Sequence, residues 1–104
     1  MPGPKTPQDA LVWVKDAMVA GRYIPDPHFE KRCRQRHFSV FDAKRIAATA
    51  TTCAPYLEAE ILAGGTAWRV FGRDSDGDPA ALGVEAFLDN LGRRILLITI
   101  MEAT

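Results

Sequence analysis

At 104 residues, with 47% hydrophobic and 25% charged side chains, the chain has the make-up of one soluble domain able to close a modest core without metal or disulfides. Thirteen Lys and Arg balance thirteen Asp and Glu, which excludes a whole-surface field drawing the protein onto nucleic acid or anionic lipid, so any basic function must be local. Cys33 and Cys53 lack the spacing of a metal knuckle or redox pair, and no apolar run is long enough for a secretory signal or a bilayer span; the expectation is a cytoplasmic protein with no membrane contact.

Residues 1–5, rich in proline and glycine, read as a flexible leader ahead of a single domain over 6–104. Thr6, Pro7 and Asp9 supply a helix start, and Ala10, Trp13, Val14, Ala17 and Met18 fall on one face that must be buried. Gly21 stops that helix. Tyr23 to Pro27 reads as an extended connector, and Asp26 with Pro27 opens a second helix to about Arg36. A third helix starts at Ser39 and Asp42 and buries Ala43, Ile46, Ala47 and Ala50.

Beyond Pro55 the period changes to two. Leu57, Ala59 and Ile61 alternate with Tyr56, Glu58 and Glu60 as a half-buried strand, and Trp68, Val70 and Gly72 alternate with Arg69, Phe71 and Arg73 in the next. A third alternation runs from Ala81 to Leu88, and Ile95 to Met101, apolar on both faces apart from Thr99, belongs inside the sheet. Short links favour hairpins, so the predicted fold is α+β: N-terminal helices packed on one face of a four-stranded antiparallel sheet. Its other face is expected to show Arg69, Phe71, Arg73, Glu58, Glu60, Glu85 and Phe87.

The chemistry concentrates in one basic segment. From His28 to Arg45 there are six Lys or Arg against two acids, and His28, Arg32 and Arg36 recur at intervals of four. On a helix each such step rotates by only about 40°, so the three form one stripe. Guanidiniums offer paired donors to phosphate oxygens and imidazole exchanges a proton near neutral pH, a combination suited to RNA transesterification. The plain alternative is a solvated face, or pairing with Glu58 and Glu60. Two metal readings fail on spacing. Asp74 to Asp78 carries Pro79 where a calcium loop needs glycine, and Cys33 and His37 lie about 140° and 180° around the helix from His28.

HFEKRCRQRHFSVFDA, then AWRVFGRD, LGVEA and LLITI, resembles the bacterial domain-of-unknown-function family 4258 over about Pro27 to Met101. The resemblance implies a RelE-like fold akin to ribonuclease toxins of the MqsR group, whose relatives sit beside small antitoxins. It implies site positions at His28, Arg32, Arg36, Arg69 and Thr99, with Trp68 standing where many members have tyrosine. The expected function is therefore a toxin-like ribonuclease or RNA-binding domain of a toxin–antitoxin system. Its catalytic set is His28, Arg32 and Arg36, its substrate-binding set Arg69, Trp68, Arg73 and Thr99, and it needs neither metal nor cofactor. RNA and a small antitoxin are the expected partners. The alternative is a non-catalytic module that holds a protein with the basic helix and the open sheet face.

Overall fold

Each helix begins where the sequence supplies an acceptor for the orphan N–H groups of its first turn. Thr6 Oγ1 accepts from the Asp9 amide at 3.2 Å ahead of α1, Pro7–Val19. Asp26 accepts from the His28 amide at 2.9 Å ahead of α2, Pro27–Arg36, and Asp42 accepts from the Ser39 amide at 2.8 Å to fix the start of α3, Val40–Thr49. Between α2 and α3 the chain turns at His37, whose φ of 60° is left-handed and uncommon outside glycine.

The computed structural model describes residues 3–103 and assigns them an α+β architecture whose sheet departs from the expected four antiparallel strands. It has five, β1 (Tyr23–Pro25), β2 (Thr52–Pro55), β3 (Thr66–Arg73), β4 (Pro79–Asp89) and β5 (Gly92–Glu102), in the order β1-β5-β4-β3-β2. The segment expected as a connector supplies the added strand: β1 pairs in parallel with β5, Tyr23 opposite Ile95, and every other pairing is antiparallel.

A second difference concerns residues 57–61, which form no strand. Their alternation is real, but Glu85 pins the chain just beyond them. Its carboxylate is wholly buried and accepts from the amides of Leu62, Ala63 and Gly65 at 2.7 to 3.1 Å. Residues 56–65 thus fold as a loop over the second sheet face, and β2 falls earlier in the chain. Glu85 is therefore no part of an open surface. The segment read as a flexible leader is docked where it is described, with Gly3 and Pro4 buried and the Pro4 carbonyl accepting from Thr66 Oγ1 at 2.7 Å; Met1 and Pro2 lie outside the described residues.

The core sits between the sheet and the helices. Trp68, Val70, Leu82, Val84, Ile95, Leu97 and Ile100 meet Trp13, Val14, Met18 and Ile46 there, with Phe29 of α2 in the same cluster. The pairing of β4 with β5 is irregular at one point. Gly83 pairs with Thr99 and Val84 with Leu97, so Ile98 is an extra residue that has no partner in β4. This bulge switches the face on which β5 side chains emerge. Ile95 and Leu97 point into the core before it; Ile100 does so after it, which leaves Thr99 on the opposite face.

Among the described residues no helix is long and apolar enough to cross a membrane. Both thiols have raised pKa values. Burial, aided by Asp42 and Glu30 against Arg34, raises Cys33, and burial pushes Cys53 up to about 11, so neither is an activated nucleophile.

Two measurements probe these anchors. Glu85→Gln leaves donor facing donor in a buried place, and chemical denaturation should show a loss of about 1–3 kcal/mol. Asp42 ties α3 to the β3–β4 hairpin through the Ser75 amide at 2.9 Å. Partial burial acts to raise its pKa, but the hydrogen bonds from Ser75 and Ser39 outweigh it and hold the carboxyl below its ordinary value. A depressed folded-state pKa means stability that is present above the unfolded value of about 3.9 and lost as pH falls through the folded one. The stability difference between wild type and Asp42→Asn should therefore be full at neutral pH and shrink below about pH 4.

Candidate functional site

The α2 stripe does not point into open solvent. β1 covers β5 only as far as Leu97, and beyond it α2 lies along the free edge of β5. Arg36 secures that position by donating Nη1 to the Ile100 carbonyl at 2.8 Å, satisfying a sheet-edge acceptor that has no strand beside it. The consequence is a cleft of about 670 Å³ between the helix and the second sheet face. His28, Arg32, Arg36 and His37 line one wall, Thr99, Met101 and Glu102 come from β5, and Tyr56 closes it from the loop side. A volume of this order lies in the range of ligand pockets, roughly 300–1,000 Å³.

Three elements place these side chains. On α2 the interval of four residues turns His28, Arg32 and Arg36 to the same side, while Phe29 is buried and Cys33 half-buried beneath them. On β5 the bulge brings out Thr99, which is only 3% exposed and forms part of the floor. Tyr56 arrives through a glycine: a Cβ at Gly83 would lie 2.8 Å from the Tyr56 ring and 2.7 Å from Thr99 Cγ2, so the bare backbone there is what admits the ring.

Arg69 stands behind Tyr56. Its guanidinium lies 5.4 Å from the Tyr56 ring centroid and 5.9 Å from that of Phe71, within cation–π range of both. It shares a row of the sheet with Gly83 and Thr99. Among the described residues its buried Nε has no hydrogen-bond partner.

The electrostatics are one-sided. Among the described residues the salt bridge present is Arg94 with Asp89, at 3.0 Å, so Arg32, Arg36 and Arg69 have no carboxylate partner and the pairing with Glu58 or Glu60 does not occur. Arg32 donates Nη1 to Gln35 Oε1 at 3.0 Å. Among the described residues Glu102 is the one acid lining the cleft.

Of the seven expected residues, His28, Arg32, Arg36 and Thr99 meet in the cleft, and Arg69 reaches it through Tyr56. Two are elsewhere. Trp68 is 4% exposed in the core, its Nε1 donating to Thr66 Oγ1 at 2.8 Å, because its position in the alternation of β3 points inward. Arg73 is exposed at the hairpin end of β3, where Nη1 donates to the Gly77 carbonyl at 2.8 Å, too far along the strand to join the others. Tyr56, His37, Met101 and Glu102 join the cleft without standing among the expected residues. The mid-strand glycine at 83 is the available signal for Tyr56, since glycine inside a strand marks a close approach.

The acidic hairpin tip has its own account. Asp74 Oδ1 accepts from the amides of Asp76 and Asp78 at 3.0 and 2.9 Å, so this carboxylate shapes the turn.

Comparison with protein-family models, with curated proteins and with solved structures finds no match to this chain.

Gly83→Ala should displace Tyr56. We expect a stability loss of about 1–3 kcal/mol by denaturation, from overpacking, together with changed chemical shifts for the Tyr56 and Arg69 side chains. Unaltered Tyr56 shifts would show that the ring does not rest on Gly83.

Proposed function

We propose that this cleft binds the phosphate backbone of RNA and cleaves it by metal-independent transesterification, as a toxin-like domain of RelE type. The observation that carries the reading is the convergence of His28, Arg32 and Arg36 on Tyr56 and Thr99 with no carboxylate paired to either arginine. Unpaired guanidiniums favour an anion, and their forked donors suit the paired oxygens of a phosphate. In the proposed step His28 takes the proton of the 2′-hydroxyl, whose oxygen attacks phosphorus to form a 2′,3′-cyclic phosphate. The bond to the 5′-oxygen breaks, and the Tyr56 phenol protonates that leaving group. Arg32 and the donors of Arg36 not used by Ile100 stabilise the charge that builds on the phosphorane.

The direct test is a defined RNA oligonucleotide incubated in a chelating buffer. Wild type should cleave it; His28→Ala should lower the rate about 10²–10⁴-fold while still binding, as expected for loss of a general base. Arg32→Ala should weaken binding and flatten its salt dependence. His28 is exposed and Arg32 half-buried, and neither belongs to the core, so the fold is retained. Equal cleavage by wild type and His28→Ala would end the catalytic reading.

One observation favours the non-catalytic alternative. Leu57, Ile61 and Leu62 are exposed on the loop that carries Tyr56, a surface suited to a protein such as an antitoxin laid over the cleft. Stable RNA or protein binding without cleavage would select it.

A further inference from the structure

The helical side of the molecule carries a second concavity that the cleft does not use. α1 and α3 both cover the core face, and α3 meets its neighbour with small residues, Ala43 and Ala47, so the two helices approach closely but leave their outer junction shallow. The result is a groove of about 510 Å³ lined by Lys15, Met18, Val19, Lys44, Ala47 and Ala48. Its floor is apolar. Its margins expose large apolar side chains that folding alone does not require there: Val19 is 91% exposed, and Phe41, next to Lys44, is 70% exposed. Valine is a poor choice for a free helix surface, since its branched carbon loses rotamer freedom without gaining burial.

The charge on the groove has a single sign. Lys15 and Lys44 are the ionic residues that line it, and among the described residues no carboxylate does. Among the described residues neither ammonium has a carboxylate partner. Lys15 Nζ donates to the Ala48 carbonyl at 3.1 Å, at a point where α3 is ending and its carbonyls lack helical partners. Lys44 Nζ lies 5.8 Å from the ring centroids of both Tyr23 and Phe41. The two lysines therefore flank an apolar trough between two helices.

We infer that the groove between α1 and α3 docks an amphipathic helix of a partner protein, one that sets Asp or Glu on either side of an apolar stripe. A helix fits because its residues at i, i+3, i+4 and i+7 give an apolar stripe that can lie along the trough, with Val19 and Ala48 receiving the apolar side chains over the Met18 and Ala47 floor. Acidic flanks fit because they meet the ammonium groups of Lys15 and Lys44. The surface lies on the opposite side of the sheet from the cleft, so a docked helix leaves His28 and Arg32 free.

The probe is a pair of synthetic helical peptides, each with a leucine stripe, one carrying glutamate and the other lysine at the remaining positions. Each is titrated into the full chain labelled for NMR. The glutamate peptide should shift the amides of Val19, Ala47 and Ala48 and bind at least tenfold more tightly than the lysine peptide. Lys15→Glu with Lys44→Glu should reverse that preference, and Val19→Asp should abolish binding without altering the unbound spectrum elsewhere. Shifts confined to His28, Arg32 and Thr99 would place the peptide in the cleft and overturn the proposal, as would equal affinity for the two peptides. Sedimentation of the unbound chain covers the remaining occupant: a dimer broken by Val19→Asp would mean that a second copy fills the groove, and would overturn the proposal too.

Discussion

The arrangement depends on one extra residue in β5. Without the bulge at Ile98, strict alternation from Ile95 and Leu97 would send Thr99 into the core and Ile100 outward. With it, an apolar strand keeps its core contacts at both ends and still presents a hydroxyl-bearing side chain on the far face, where Thr99 meets Gly83. The same shift aims the Ile100 carbonyl at the uncovered edge, and Arg36 occupies that acceptor. The bulge thus sets both the floor of the cleft and the seat of the helix that walls it.

Arg36 then has two roles that pull on one another. Its bond to Ile100 orders the end of α2, yet that bond leaves other guanidinium donors turned to the cleft. Arg32 and His28 carry no such structural duty. The division has a physical basis: Arg36 sits where the Ile100 carbonyl would otherwise be unsatisfied at the free edge of β5, whereas Arg32 and His28, one and two turns earlier, donate to no sheet carbonyl among the described residues.

The helices are legible in the sequence because their signals are local. Thr6, Pro7, Asp26, Pro27, Ser39 and Asp42 each act within four residues of where they stand, and all three helix starts follow from them. The stripe of His28, Arg32 and Arg36 is legible for the same reason. The sheet is not, since its pairings are non-local. Nothing near Tyr23 announces that a three-residue segment will pair with Ile95, and the alternation of Leu57, Ala59 and Ile61 is indistinguishable from a strand until Glu85, more than twenty residues on, claims the loop amides. Trp68 shows a further limit. The alternation of β3 puts it on the helix side, whereas resemblance puts it in a binding site, and where the two disagree the alternation decides.

Glu85 is where fold and candidate site join. A carboxylate with no solvent exposure is costly unless its oxygens are filled, and here three backbone N–H groups fill them. That requirement forces residues 62–65 down onto the sheet, and the loop can reach back to β2 only by passing over the face that holds Gly83. Tyr56 stands at that passage. Its ring lies against the one position in the middle of β4 with no side chain, with the guanidinium of Arg69, which among the described residues has no carboxylate partner, over its face and Thr99 beside it in the cleft. The phenol in the cleft is therefore a consequence of a buried acid elsewhere on the sheet, and the two would have to be exchanged together for the cleft to keep its shape.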